Sequence, residues 1–140
     1  MIMDQLKGQH TSMLAVGSSA EDRCALAKIL GSILELNTVS TCREARNFLA
    51  RRPTPVVITN RDLTDGSWRD VLSAIGSSGH FSSLIVSSLH ADEKLWADVL
   101  HMGGFDVLAT PFDPTEVSRS VGAALWNRTR VASRTAGSTD

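Results

Sequence analysis

The sequence predicts a single α/β domain, a doubly wound (βα)5 arrangement in which a five-stranded parallel sheet carries helices on both faces. Three observations predict it. The chain has 140 residues, close to the length of one domain. Short apolar runs alternate five times with longer segments of helical periodicity, and no fixed-period repeat appears. The runs are mostly β-branched or apolar without polar alternation, which suits strands buried on both faces of a parallel sheet.

Residues 1–12 are polar and unpatterned and read as a flexible N-terminal segment, so the domain is expected over 13–126. Strands are expected at 13–16, 37–40, 56–60, 84–88 and 106–109. After the first, Ser19 caps a helix in which Leu26, Leu30, Ile33 and Leu34 share a face. Thr41 with Glu44, and Ser67 with Asp70, place a capping oxygen before the second and third helices and an acid three residues on. Trp68, Val71, Leu72 and Ile75 form the apolar face of the third. Gly103-Gly104 stops the fourth. Asp113, Pro114 and Glu116 open the fifth, whose inner face is Val117, Val121, Ala124 and Leu125. Residues 127–140 read as a flexible C-terminal tail. The rhythm is that of a flavodoxin-like fold, with strand order 2-1-3-4-5.

Composition narrows the function classes. Hydrophobic residues at 42% and charged residues at 21%, with 10 Gly and 4 Pro, supply one core and exclude disordered and low-complexity chains. Fourteen Lys plus Arg against fifteen Asp plus Glu give a net charge of −1, so neither nucleic acid nor an anionic membrane is an expected partner. The longest apolar runs, such as Val56-Val57-Ile58 and Leu84-Ile85-Val86, fall far short of the ~18 residues of a membrane span. The start Met1-Ile2-Met3-Asp4 lacks the pattern of a secretory signal, so the expected location is cytoplasmic. Cys24 and Cys42 lack metal-ligand spacing and read as reduced helix residues. His10, His80, His90 and His101 form no pair at metal-ligand spacing. Asn127-Arg128-Thr129 matches a glycosylation acceptor but has no consequence without an export signal.

In a doubly wound sheet the informative residues follow the carboxyl ends of the strands, here Gly17, Ser18, Asn60, Ser88 and Thr110. Around them the chain resembles the receiver domain of two-component response regulators over the whole of 13–126. Pro55-Val56-Val57-Ile58-Thr59-Asn60-Arg61-Asp62-Leu63-Thr64-Asp65-Gly66 looks like the family's third strand and loop. Leu84-Ile85-Val86-Ser87-Ser88 is similar to its fourth strand, which ends in Ser or Thr, and Gly103-Gly104-Phe105-Asp106-Val107-Leu108-Ala109-Thr110-Pro111-Phe112 to its Gly-Ala, fifth strand and Lys-Pro-Phe ending.

Family receivers phosphorylate an Asp at the end of the third strand, and Asn60 matches that position. Their Mg²⁺ is held by an acidic pair after the first strand, matched by Gly17 and Ser18, and their Lys is matched by Thr110. Of that set only the hydroxyl of Ser88 remains. The resemblance therefore implies a degenerate receiver without phospho-acceptor, metal or other cofactor, since a hard cation requires anionic oxygen. For the individual side chains the plainer alternative is loop-tip filler.

Asp62 and Asp65 remain as acids near the site; Asp65-Gly66 reads as a turn and Asp62 as a solvated residue. The Val16-Gly17-Ser18-Ser19 turn offers backbone amides to an anion, though capping by Ser19 explains it more simply. Among three tryptophans, Trp68 is expected within its helix packing, and Trp96 and Trp126 are either partner anchors or packing residues. The expected function is a stand-alone pseudo-receiver in bacterial signal transduction. It is not an enzyme, and it acts by contact with a protein partner or itself through the face of the fourth helix, fifth strand and fifth helix. Two alternatives stay open: an unorthodox phospho-acceptor using Asp62 or another residue, and a small ligand-binding protein or enzyme on the same fold.

Overall fold

The computed structural model describes the backbone of residues 11–137 and the side chains of residues 11–127. Strand β1 (Ser12–Val16) leads to helix α1 (Ala20–Leu30), β2 (Glu35–Val39), α2 (Cys42–Arg51) and β3 (Val56–Asn60). Two short strands, β4 (Asp62–Leu63) and β5 (Gly66–Ser67), then pair as an antiparallel ribbon. They precede α3 (Trp68–Ser78), β6 (Ser83–Ser88), α4 (Glu93–His101), β7 (Asp106–Ala109) and α5 (Pro114–Gly137).

The five long strands form one parallel sheet in the order β2-β1-β3-β6-β7, the expected α/β class. Its numbering differs from expectation because the ribbon, which the sequence reading did not separate from a turn, interposes two strands. Alternation along the central strands feeds two cores. Met13 and Ala15 of β1 and Val56 and Ile58 of β3 face α1 and α5, joining Leu26, Leu30, Val117 and Val121. Leu14, Val16 and Val57 face the other way, toward α2, α3 and α4, joining Leu49, Trp68, Val71, Leu95 and Val99. Burial on both faces holds for β1, β3 and β6 but not for β2 and β7, which are edge strands with half-exposed residues.

The helix starts are capped as their sequences predict. Thr41 and Glu44, and Ser67 and Asp70, form reciprocal capping boxes. Asp113 accepts from the Glu116 N–H at 3.0 Å. Several boundaries need correction. Ser12 belongs to β1 rather than to a tail, because Glu35, the first residue of β2, pairs with it and donates its N–H to Thr11. β2 accordingly begins at Glu35 and ends before Ser40. Ile33 and Leu34 lie beyond the end of α1, and Leu34 is buried from the following turn. Helix α5 continues past 126 to Gly137 where a tail was expected. Residues 1–10, including His10, and 138–140 lie outside the described residues.

Candidate functional site

The carboxyl ends of β1, β3 and β6 meet at one point because their ladders end there, Val16 opposite Thr59 and Asn60 opposite Ser87. Asn60 occupies the centre. Its Nδ2 donates to the Gly17 carbonyl at 2.5 Å, and its Oδ1 accepts from Ser87 Oγ at 2.9 Å. Ser87 Oγ lies 3.4 Å from the Thr59 carbonyl, so its one proton goes to the nearer amide. The sequence singled out Ser88 as the remaining hydroxyl, yet the hydroxyl that touches Asn60 belongs to the fully buried Ser87. The Ser88 Oγ instead accepts from the His90 N–H at 3.2 Å.

Gly17 has φ +74°, a left-handed conformation that glycine tolerates best. A β-carbon there would fall 2.2 Å from Leu63 Cδ2. Leu63, from β4, packs against the second core and covers the place where a side chain at position 17 would project. Ser18 is buried, and its Oγ has no hydrogen-bond partner. Its carbonyl accepts from the Arg23 guanidinium at 2.7 Å, while Ser19 caps α1 through the Asp22 N–H at 3.1 Å. The anion-binding use of this turn loses ground, since the cap already takes up that N–H and Asp22 carries a negative charge at the same helix end.

Asn60, Ser88 and Thr110 line a cleft of about 260 Å³ with Asp22, Arg61 and the exposed Leu89. A neighbouring cleft of about 300 Å³, between α3 and α4, has Trp68 and Leu95 along its lining and shares Arg61 and Asp62 with the first. Asp62 is exposed and paired with Arg61 at 3.0 Å. Gly17 and Ser18 are not in either lining, so the five expected site residues lie at the carboxyl ends of four neighbouring strands but do not all face one space.

Asp65 does more than form a turn. Its carboxylate accepts from the Cys42 N–H at 2.8 Å and the Arg43 N–H at 3.1 Å, joining the ribbon tip to the start of α2. These donors, that of Cys42 foremost, hold the Asp65 carboxyl below the usual carboxylate range, and desolvation opposes them. Cys42 is buried and its Sγ lies 3.7 Å from the Ser67 carbonyl. Burial, then the hydrogen bond and charge of Asp65, push this thiol up to about 11. Sequence reasoning missed Ser87, Leu63 and the role of Asp65. The only available signal was Asp65-Gly66, which fits a turn equally well.

These residues do not fit a bound Mg²⁺. At the matched positions Gly17 and Ser18 offer no carboxylate, Asn60 offers a neutral oxygen already bonded to Ser87, and Leu63 presents methyl groups; Asp22 and Asp62 line the cleft, but among the described residues no three acidic, His or Cys side chains gather to hold a cation.

Trp96 and Trp126 are each 51% exposed, whereas Trp68 is buried. Trp96 lies roughly 160° around α4 from Asp98. Asp98 faces Arg69 of α3 at 3.8 Å, so Trp96 sits on the flank away from α3, toward the β7 edge. Trp126 lies roughly 120° around α5 from Ser120 and points outward. Ser120 itself faces β7, donating to Asp106 at 2.7 Å. His80, His90 and His101 are exposed, as is Cys24.

No protein-family model and no curated protein sequence matches the chain. Solved structures do. The signal receiver domain of an HD domain-containing protein from Pseudomonas fluorescens Pf-5 superposes with TM-score 0.80 at 22% identity, covering 90% of this chain and 94% of that one. A chemotaxis response regulator of Vibrio cholerae gives 0.74 at 18% identity, over 84% and 100% of the two chains. A two-component response regulator from Clostridium difficile gives 0.74 at 17%, over 83% and 96%. The chain thus has the fold of response-regulator receiver domains. Among the described residues no helix is long and apolar enough to cross a membrane.

Proposed function

We propose that this protein is a receiver-like signalling module of the two-component type that is not phosphorylated at the acceptor position and acts through protein contact rather than catalysis. The observation that carries this reading is Asn60. At the end of β3 it presents a carboxamide whose oxygen and nitrogen are both engaged, to Ser87 and Gly17, so at this position there is no carboxylate to attack a phosphoryl donor. Gly17, Ser18 and Thr110 supply neither the acids nor the lysine that such transfer uses in the family the sequence resembles.

Incubation of the full chain with acetyl phosphate and Mg²⁺, followed by intact-mass measurement, is expected to show no gain of about 80 Da. A stoichiometric gain overturns the reading. If that gain disappears in Asp62→Ala, the acceptor is the exposed Asp62 on the cleft rim. The output contact is assigned to the α4–β7–α5 edge, with Trp96 as its anchor, because a half-exposed Trp is an expensive residue to leave in water. Trp96→Ala is expected to weaken partner binding or self-association by about 2 kcal/mol or more.

A further inference from the structure

We propose that the vestigial acceptor site is an internal tie: Asn60, bonded to Gly17 and Ser87 and flanked by Leu63 over Gly17, fixes the carboxyl ends of β1, β3 and β6 in one arrangement and shuts the site to a cation. The proposal rests on the reading of the chain as a receiver-like module without an acceptor. It adds that the altered residues have a shared task of their own.

Three features carry it. The first is complementarity. The Gly17 carbonyl needs a donor and the Ser87 hydroxyl needs an acceptor, and a carboxamide supplies both from one planar group at 2.5 and 2.9 Å. Filler has no reason to match two partners from two other strands. The second is position. The backbone ladders end at Val16 opposite Thr59 and at Asn60 opposite Ser87, so the side-chain bonds carry the cross-strand pairing on at the sheet's last residues.

The third is the ribbon. Leu63 lies where a side chain on Gly17 would stand, and the ribbon that carries it is anchored at both ends. At the tip, Asp65 is bonded to the first N–H groups of α2. At the base, the Arg61 carbonyl accepts from the Trp68 N–H at 3.0 Å, and Ser67 caps α3. An apolar side chain at this point offers no ligand to a hydrated cation, which needs oxygen.

The test is amide hydrogen exchange of the full chain, read at Gly17, whose N–H is bonded to Val39, and at Arg61, whose N–H is bonded to Ser87. Wild type is expected to give the same rates with and without millimolar Mg²⁺ and beryllium fluoride, the probes for metal and phosphoryl group. Asn60→Asp, measured at neutral pH, is expected to speed exchange at both amides by about tenfold, and Leu63→Ala to speed it at Gly17. Should Asn60→Asp fail to fold, Ser87→Ala reads the same tie and is expected to speed exchange at Arg61 severalfold.

Rates in Asn60→Asp, or in its substitute Ser87→Ala, within about twofold of wild type overturn the tie. A Mg²⁺-dependent change in the wild-type rates overturns the closure. Phosphoryl mass on the wild type with unchanged rates at Gly17 and Arg61 instead sinks the functional reading and leaves the tie standing.

Discussion

A carboxamide and a carboxylate share a shape, yet at position 60 they have opposite consequences. Asp in place of Asn60 sets an acceptor 2.5 Å from the Gly17 carbonyl, unless it carries a proton to donate. The proton is therefore favoured in the folded state, and the variant's carboxyl is expected to titrate above its ordinary unfolded value of about 4. An acid raised on folding stabilises below the unfolded pKa and loses that contribution as pH rises through the folded one. Relative to wild type, Asn60→Asp is expected to be near parity at about pH 3 and about 1–3 kcal/mol less stable at neutral pH. Urea unfolding at both pH values checks it, and a pH-independent difference refutes the argument. The tryptophans separate by burial in the same way. Trp68→Ala should cost about 3–5 kcal/mol of stability, and Trp96→Ala less than about 2 kcal/mol, measured by unfolding midpoint.

At the scale of elements, the capping boxes of α2 and α3 were legible because a cap and its acid are three residues apart and interact locally. The ribbon β4–β5 was not. Two residues per strand carry no alternation, and the partners of Leu63 and Asp65 lie in β1 and α2, distant in sequence. Asp65 gives the ribbon a pH signature. Its depressed carboxyl stabilises the fold above the unfolded pKa of about 4, and that contribution is lost as pH falls through the lower folded value. Asp65→Asn is thus expected to lower the unfolding midpoint at about pH 7, with the difference from wild type shrinking as pH falls below about 4. The cap also hides Cys42. With its thiol pushed up to about 11, alkylation should label the exposed Cys24 first, and Cys42 slower by about a hundredfold or more, as read by peptide mass.

For the molecule as a whole, the alternation of short apolar runs with helical segments was enough for the fold class, since few topologies satisfy it. The candidate site was legible only as a set of positions. Which of Ser87 and Ser88 reaches Asn60 depends on strand register, and whether position 17 is open depends on a side chain elsewhere. The two cores share one sheet, so neither face can unfold alone without stripping the other of its backing. Leu30→Ala on one face and Leu49→Ala on the other should each lower a single transition by about 2–5 kcal/mol. Tryptophan fluorescence, with Trp68 as its buried reporter, and far-ultraviolet circular dichroism should trace that transition coincidentally, and two separated transitions would contradict a common sheet.

The placement of Leu63 over Gly17 also makes an acidic site costly to introduce here. An Asp at 17 collides with Leu63 and must adopt a glycine backbone angle. Trimming Leu63 first removes apolar packing from the edge of the second core. An Asp at 60 first breaks the bond to Gly17. Each single step toward a metal-binding pocket is expected to lower stability before any metal is held, so the changes at positions 17, 60 and 63 are coupled through one shared contact point rather than independent.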